Sequence, residues 1–136
     1  MMETAPGSFI MPRNRHKQGI FEWQGMKIKV DDGIQPLLLI LNRFDRIATT
    51  ASCVGGKRGK WETEEGYAAF TGNQPKDVKS LCEWLSQKLP QHLNVRVEYN
   101  ESRDTAGFAW GCLRWNPAEF DVLVETLEVM QKAGTR

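Results

Sequence analysis

The residues best suited to chemistry are gathered in one stretch, Thr49-Thr50-Ala51-Ser52-Cys53-Val54-Gly55-Gly56-Lys57-Arg58-Gly59-Lys60. Glycines let a backbone approach a ligand closely and turn its N–H groups inward. Thr50 and Ser52 add hydroxyls and Lys57, Arg58 and Lys60 add positive charge, so phosphate or carboxylate suits the segment. Trp61 follows directly, and Arg103, Arg114 and Trp115 sit in a later hairpin region. Flat rings and guanidinium groups together stack a base and pair its phosphate. Thr50, Ser52, Gly55, Gly56, Lys57, Arg58, Lys60 and Trp61 are therefore the expected ligand-binding residues, with Arg103, Arg114 and Trp115 supplied by the same or a neighbouring chain. The stretch is neither a Walker loop nor a dinucleotide fingerprint. It fits a solvated turn between two strands as well, and the tryptophans fit a core or an oligomer interface.

Turnover has fewer supports than capture. Cys53 lies beside the glycine turn and near Lys57 and Arg58, a setting that lowers a thiol pKa. Its general base would have to be His16, in the N-terminal tail, or His92, at a helix end, so Cys53 reads as a buried strand cysteine. No paired Cys-x-x-Cys or His-x-x-x-His spacing occurs, and no metal is expected. Cys82 and Cys112 fall among apolar residues, where cysteine acts as a small hydrophobe. Glu62, Glu64 and Glu65 form a charge run that reads as a solvated loop. Without a base, nucleophile or metal set, a binding module needing no cofactor is the expectation.

The run Ile40–Gly56, above all Thr49-Thr50-Ala51-Ser52-Cys53-Val54-Gly55, resembles the Thr-Thr-Ser-Ser-Cys-Ser-Gly-Arg segment of the wybutosine-synthesising tRNA methyltransferase family. Leu41-Asn42 ahead of it and Tyr67–Phe70 after it match the helix and strand that flank that segment. Ala51 and Val54 stand where the family has serines, and Gly56 where it has the arginine, with Arg58 two residues on. The resemblance implies a related fold element or substrate cleft. Carried further, it implies an RNA-modifying enzyme that uses S-adenosylmethionine.

Positioning these residues requires elements that the patterning supplies. Phe21-Glu22-Trp23 and Met26–Val30 alternate about Gln24-Gly25, which predicts a hairpin. Asp31-Asp32 offers N-cap oxygens and Pro36 suits a first turn, predicting a short helix carrying Ile34, Leu37, Leu38 and Leu41 and ending near Arg43. Arg46–Cys53 predicts a strand, Val54–Gly66 a long polar loop and Tyr67–Thr71 a second strand. Gln74-Pro75 opens a helix that Pro90 stops. Leu93–Tyr99 and Phe108–Trp115 form a second hairpin around Asn100–Asp104. Asn116, Pro117 and Glu119 supply a cap, a first-turn proline and a reciprocal carboxylate for a last helix through Met130.

The predicted fold class is α+β, a mainly antiparallel sheet with about three helices on one face. A helix-strand-strand unit occurs twice, over residues 32–71 and 74–115. The 136 residues suit one domain, expected over 19–136, behind a flexible basic tail at 1–18. No apolar run approaches the roughly 18–20 residues of a membrane span. The N-terminus lacks a secretory apolar stretch and three widely spaced cysteines suggest thiols, so a cytoplasmic setting is expected. Net charge is +1, yet residues 1–60 carry ten Lys/Arg against five Asp/Glu while 61–136 carry eight against twelve. That polarity suits attraction of anions to one side or a head-to-tail copy, hence a homo-oligomer; a nucleic-acid partner is not favoured by so small a net charge. The expected function is capture of a small anionic ligand, a nucleotide or nucleotide-derived signal, by a sensor or a sequestering protein of the type phages deploy. The alternatives are the methyltransferase relative and a protein-binding module without a pocket.

Overall fold

A computed structural model of the chain describes residues 18–56 and 65–134. The elements run β1 (Gln18–Trp23), β2 (Met26–Asp31), α1 (Gln35–Asn42), β3 (Ile47–Cys53), β4 (Gly66–Gly72), α2 (Pro75–Lys88), β5 (Val95–Glu101), β6 (Ala109–Trp115) and α3 (Phe120–Ala133), the last entered through a 3-10 turn at Pro117–Glu119. The alternation of three strand pairs with three helices is the order expected, and the fold class is α+β. The tail expectation falls on residues outside those described, except that Gln18 already belongs to β1.

In place of a single sheet the strands form two. β1 and β2 pair alone, joined at Gln24 and Gly25 with φ of 50° and 83°, the doubly left-handed turn whose twist matches a two-residue hairpin. The other four form an antiparallel sheet in the order β3-β4-β6-β5. This order reads the same from either edge when the units α1-β3-β4 and α2-β5-β6 are exchanged, so the repeated helix-strand-strand pattern corresponds to an approximate two-fold relation between the central strands β4 and β6.

One face of the larger sheet carries the core. Ala68 and Phe70 of β4 and Leu113 and Trp115 of β6 are fully buried with Leu37, Leu41, Val78, Leu81, Leu85, Leu123 and Leu127 of the three helices. Gly111 sits opposite Phe70 because the space above it is already taken by the Phe70 ring and the Cys82 thiol. The opposite face reads Ala51, Cys53, Tyr67, Ala69, Trp110, Cys112, Arg114, Arg96 and Glu98 across the four strands.

Two capping expectations are corrected. Asp31 does not cap α1: it closes β2, and the helix begins after Ile34 with no side-chain cap. Glu119 does not close a capping box with Asn116; its Oε1 accepts the Asn94 N–H at 2.8 Å, while Asn116 Oδ1 accepts from Ala118 N at 2.9 Å. Both carboxylates satisfy a backbone donor distant in sequence, which local pattern does not reveal. For α2 the local reading serves, with the Gln74 N–H donating to Asp77 Oδ2 at 3.1 Å and Pro75 in the first turn.

Candidate functional site

β3 is where the sheet departs from regularity, and the departure builds the site. The ladder to β4 runs Thr49↔Phe70 and then Ala51↔Ala69, leaving Thr50 as an extra residue, a β-bulge. Because side chains alternate, one inserted residue exchanges the faces beyond it. Ser52 thereby joins the core-side row of Ala68, and Cys53 joins the opposite row of Tyr67. The strand is held at the bulge by Asn42, a buried residue at the end of α1. Its Nδ2 donates to Leu38 O at 2.7 Å and to Thr49 Oγ1 at 2.8 Å, and its Oδ1 accepts from Thr49 N at 3.1 Å.

The β1–β2 hairpin lies against this edge and is fastened by Asp31. Its Oδ1 accepts from Gln18 Nε2 and its Oδ2 from the Val54 N–H, each at 3.0 Å. Val54 is gripped from its other side as well, since its carbonyl accepts from Trp115 Nε1 at 3.4 Å. Gly55 and Gly56 follow with φ of 85° and 98°, a conformation that side chains bearing Cβ rarely adopt. The double-glycine turn thus leaves the sheet from a residue fixed on both sides.

Between hairpin and bulge is a cavity of about 310 Å³, whose polar lining includes Gln18, Lys29, Asp31, Thr50, Ser52 and Tyr67. Phe21, Ile28, Val30 and Leu38 supply apolar wall. Lys29 is exposed, is the cation of the lining and makes no ion pair among the described residues. Asp31 spends both oxygens on Gln18 and Val54. The donors lining this space are the Lys29 ammonium, the Gln18 amide and the hydroxyls of Thr50, Ser52 and Tyr67, set beside the Asp31 carboxylate, and they suit the oxygens of an anionic or phosphorylated ligand.

Of the expected residues, Thr50 and Ser52 enter this cavity and Gly55 and Gly56 form the turn beside it. Lys57, Arg58, Lys60 and Trp61 lie outside the described residues. Arg114 is one neighbour removed: its guanidinium stands 5.7 Å from the centre of the Tyr67 ring and its Nε donates to Glu98 Oε1 at 3.1 Å. That bond holds its pKa above the ordinary arginine value, so Arg114 braces Tyr67 as a committed ion-pair partner. Two expectations are corrected. Trp115 is fully buried, packed on Phe120 in the core, where its Nε1 anchors the Val54 carbonyl and no face of the ring is exposed. Arg103 lies in the β5–β6 turn, at the end of the sheet opposite Gly55 and Gly56; the length of β6 separates them by roughly 20 Å. It cannot serve the same cavity within one chain.

Sequence reading missed Gln18, Lys29 and Asp31. Each is one polar residue in an alternating hairpin, and nothing local marks which strand of another sheet that hairpin will touch. The cysteines are buried thiols. Burial pushes Cys82 up to about 11, with Cys112 and Glu83 acting in the same direction, and burial also raises Cys112. In both, burial disfavours the thiolate form. Among the described residues no group of three or more His, Cys, Asp or Glu is placed to hold a metal ion. No helix of the described residues is long and apolar enough to cross a membrane.

The fold and site define an α+β protein with a cavity at a bulged sheet edge. Comparison with protein-family models, curated proteins and solved structures returned no match.

Proposed function

We propose that the protein captures a small anionic ligand, by class a mononucleotide or nucleotide-derived signal, in the cavity between the β1–β2 hairpin and β3. The observation that carries this reading is the convergence of Lys29, Thr50, Ser52 and Tyr67 on one concave space beside the Gly55-Gly56 turn. Lys29 pairs with the ligand's phosphate, and the hydroxyls of Thr50 and Ser52 hydrogen-bond its oxygens. Apolar Phe21, Ile28 and Val30 face its base or sugar. A volume of about 310 Å³ is at the small end of ligand sites, which favours a mononucleotide over a dinucleotide. Lys57, Arg58 and Lys60, directly after the glycines in sequence, add positive charge to the same end of the chain segment.

The test is calorimetric titration of the full chain with nucleoside mono-, di- and cyclic phosphates and with inorganic phosphate. We expect one member to bind, and Lys29→Ala to weaken that binding roughly tenfold or more, the worth of a charge-assisted hydrogen bond. The melting temperature should stay unchanged, because Lys29 is exposed and unpaired among the described residues. Arg103→Ala should leave affinity unaltered. No heat from any panel member at millimolar concentration overturns the reading.

A further inference from the structure

We propose that the outer edge of β5 (Val95–Glu101), unpaired among the described residues, is the interface of a symmetric dimer, in which a second copy of this chain adds its own β5 antiparallel to the first, centred on Val97. The interface lies at the opposite edge of the sheet from the cavity and stands independently of it.

The two edges of the sheet are treated differently. β3 carries the Thr50 bulge and has the β1–β2 hairpin fastened alongside through Asp31 and Val54, both of which obstruct strand addition. β5 is paired with β6 over seven consecutive residues without a register shift, contains no proline, and has no strand among the described residues on its other side. An edge of that kind is a template for another strand.

The hydrogen-bonding phase of β5 follows from its ladder. The Ser102 N–H donates to Phe108 O at 2.9 Å, which continues the β5–β6 register as a bonded pair. Bonded and non-bonded pairs alternate in an antiparallel ladder, so Asn100, Glu98 and Arg96 turn their N–H and C=O toward β6. Those of Glu101, Tyr99, Val97 and Val95 face outward. The Val95 N–H agrees, donating back to Leu93 O at 2.9 Å.

A two-fold axis through Val97 pairs outward-facing residues with outward-facing residues: Val97 with the partner's Val97, and Val95 with the partner's Tyr99. On the core side this joins half-buried apolar side chains to one another and extends the hydrophobic layer across the axis. On the other side Arg96 falls opposite the partner's Glu98, and Glu98 opposite the partner's Arg96. Arg96 already bonds Glu65 at 2.6 Å and Arg114 bonds Glu98 at 3.1 Å. Pairing therefore lines up Glu65, Arg96, the partner's Glu98 and the partner's Arg114 with alternating sign, twice per dimer. Moving the axis one residue either way keeps the backbone phase but sets Arg96 against the partner's Arg96, or Glu98 against the partner's Glu98. Charge selects the Val97 register, as isologous self-complementarity requires.

Sedimentation of the full chain from micromolar to millimolar concentration tests this. The expected result is a dimer whose dissociation Glu98→Arg shifts to roughly tenfold higher concentration, by opposing two arginine pairs. The double variant Arg96→Glu with Glu98→Arg restores dimerisation. Val97→Pro abolishes it while leaving the far-ultraviolet spectrum intact, since the N–H it removes faces away from β6. A wild-type chain monomeric throughout this range overturns the proposal. So does a dimer indifferent to Glu98→Arg, or one that the double variant fails to restore, and these charge variants decide the question even where Val97→Pro does not fold.

Discussion

Trp115 occupies two roles with one side chain: its ring fills the core between Leu113, Phe120 and the helices, and its Nε1 fixes the Val54 carbonyl. Gly66 lies across the ladder from it, and a Cβ there would overlap the indole ring. Gly66→Ala should cost about 1–3 kcal/mol in denaturant unfolding, the usual range for overpacking a filled core. An unchanged midpoint would mean that the ring repacks freely. A second residue-scale consequence concerns Cys82, whose thiol burial raises from 9.0 to about 11. The folded chain keeps a proton that the unfolded chain releases, so this stabilisation is complete below about pH 9 and is lost as pH climbs toward about 11. Denaturant midpoints measured across that window should fall, and Cys82→Ala should fall less steeply over the same range. Parallel slopes would remove Cys82 as the cause.

The hairpin β1–β2 is the element whose placement makes the cavity, and Asp31 is its fastening. Asp31→Ala leaves the half-buried Val54 N–H and the Gln18 amide without their acceptor. Loss of an acceptor costs about 1–3 kcal/mol for a fully buried donor, and a half-buried one falls at the low end, about 1 kcal/mol. The expected signature is local: hydrogen exchange at Val54 and along β1 and β2 accelerates, while amides of β4 and β6 keep their protection. Uniform acceleration would instead make Asp31 a determinant of global stability. The bulge at Thr50 belongs to this scale too, because it sets both the face of Ser52 and the irregular edge against which the hairpin rests. Asn42 positions that bulge from α1, so helix, strand and hairpin act together at the site.

At the scale of the whole molecule, two edges of one sheet are given over to different tasks. The β3 edge bears the proposed ligand cavity, and the β5 edge the proposed dimer contact. Because they lie on opposite sides of the central pair β4–β6, the proposed dimerisation would leave both cavities open, one at each outer edge of an eight-stranded sheet. Ligand binding should therefore proceed with one site per chain in both monomer and dimer. Calorimetric stoichiometry at concentrations above and below dissociation checks this, and a halved stoichiometry in the dimer would place the two sites in contact.

The elements themselves were legible because their signals are local. Alternation about Gln24-Gly25 and about residues 93–115, the three- and four-residue spacing of Val78, Leu81, Cys82 and Leu85, and the prolines at 36, 75 and 117 each act within a few residues. From these the strand and helix order and the α+β class follow. Thr50 and Ser52 lie beside the glycine turn for the same reason, since backbone connectivity already places them there, and both line the cavity. What chain connectivity does not encode was decided by packing alone. The bulge depends on the register of β3 against β4, and the use of Asp31 and Glu119 on Val54 and Asn94 depends on donors 23 and 25 residues away. The burial of Trp115 and the distance of Arg103 from the glycines depend on strand order. A residue type states what a side chain is able to bond; only the tertiary arrangement decides which partner is within reach and whether water is excluded from the pair.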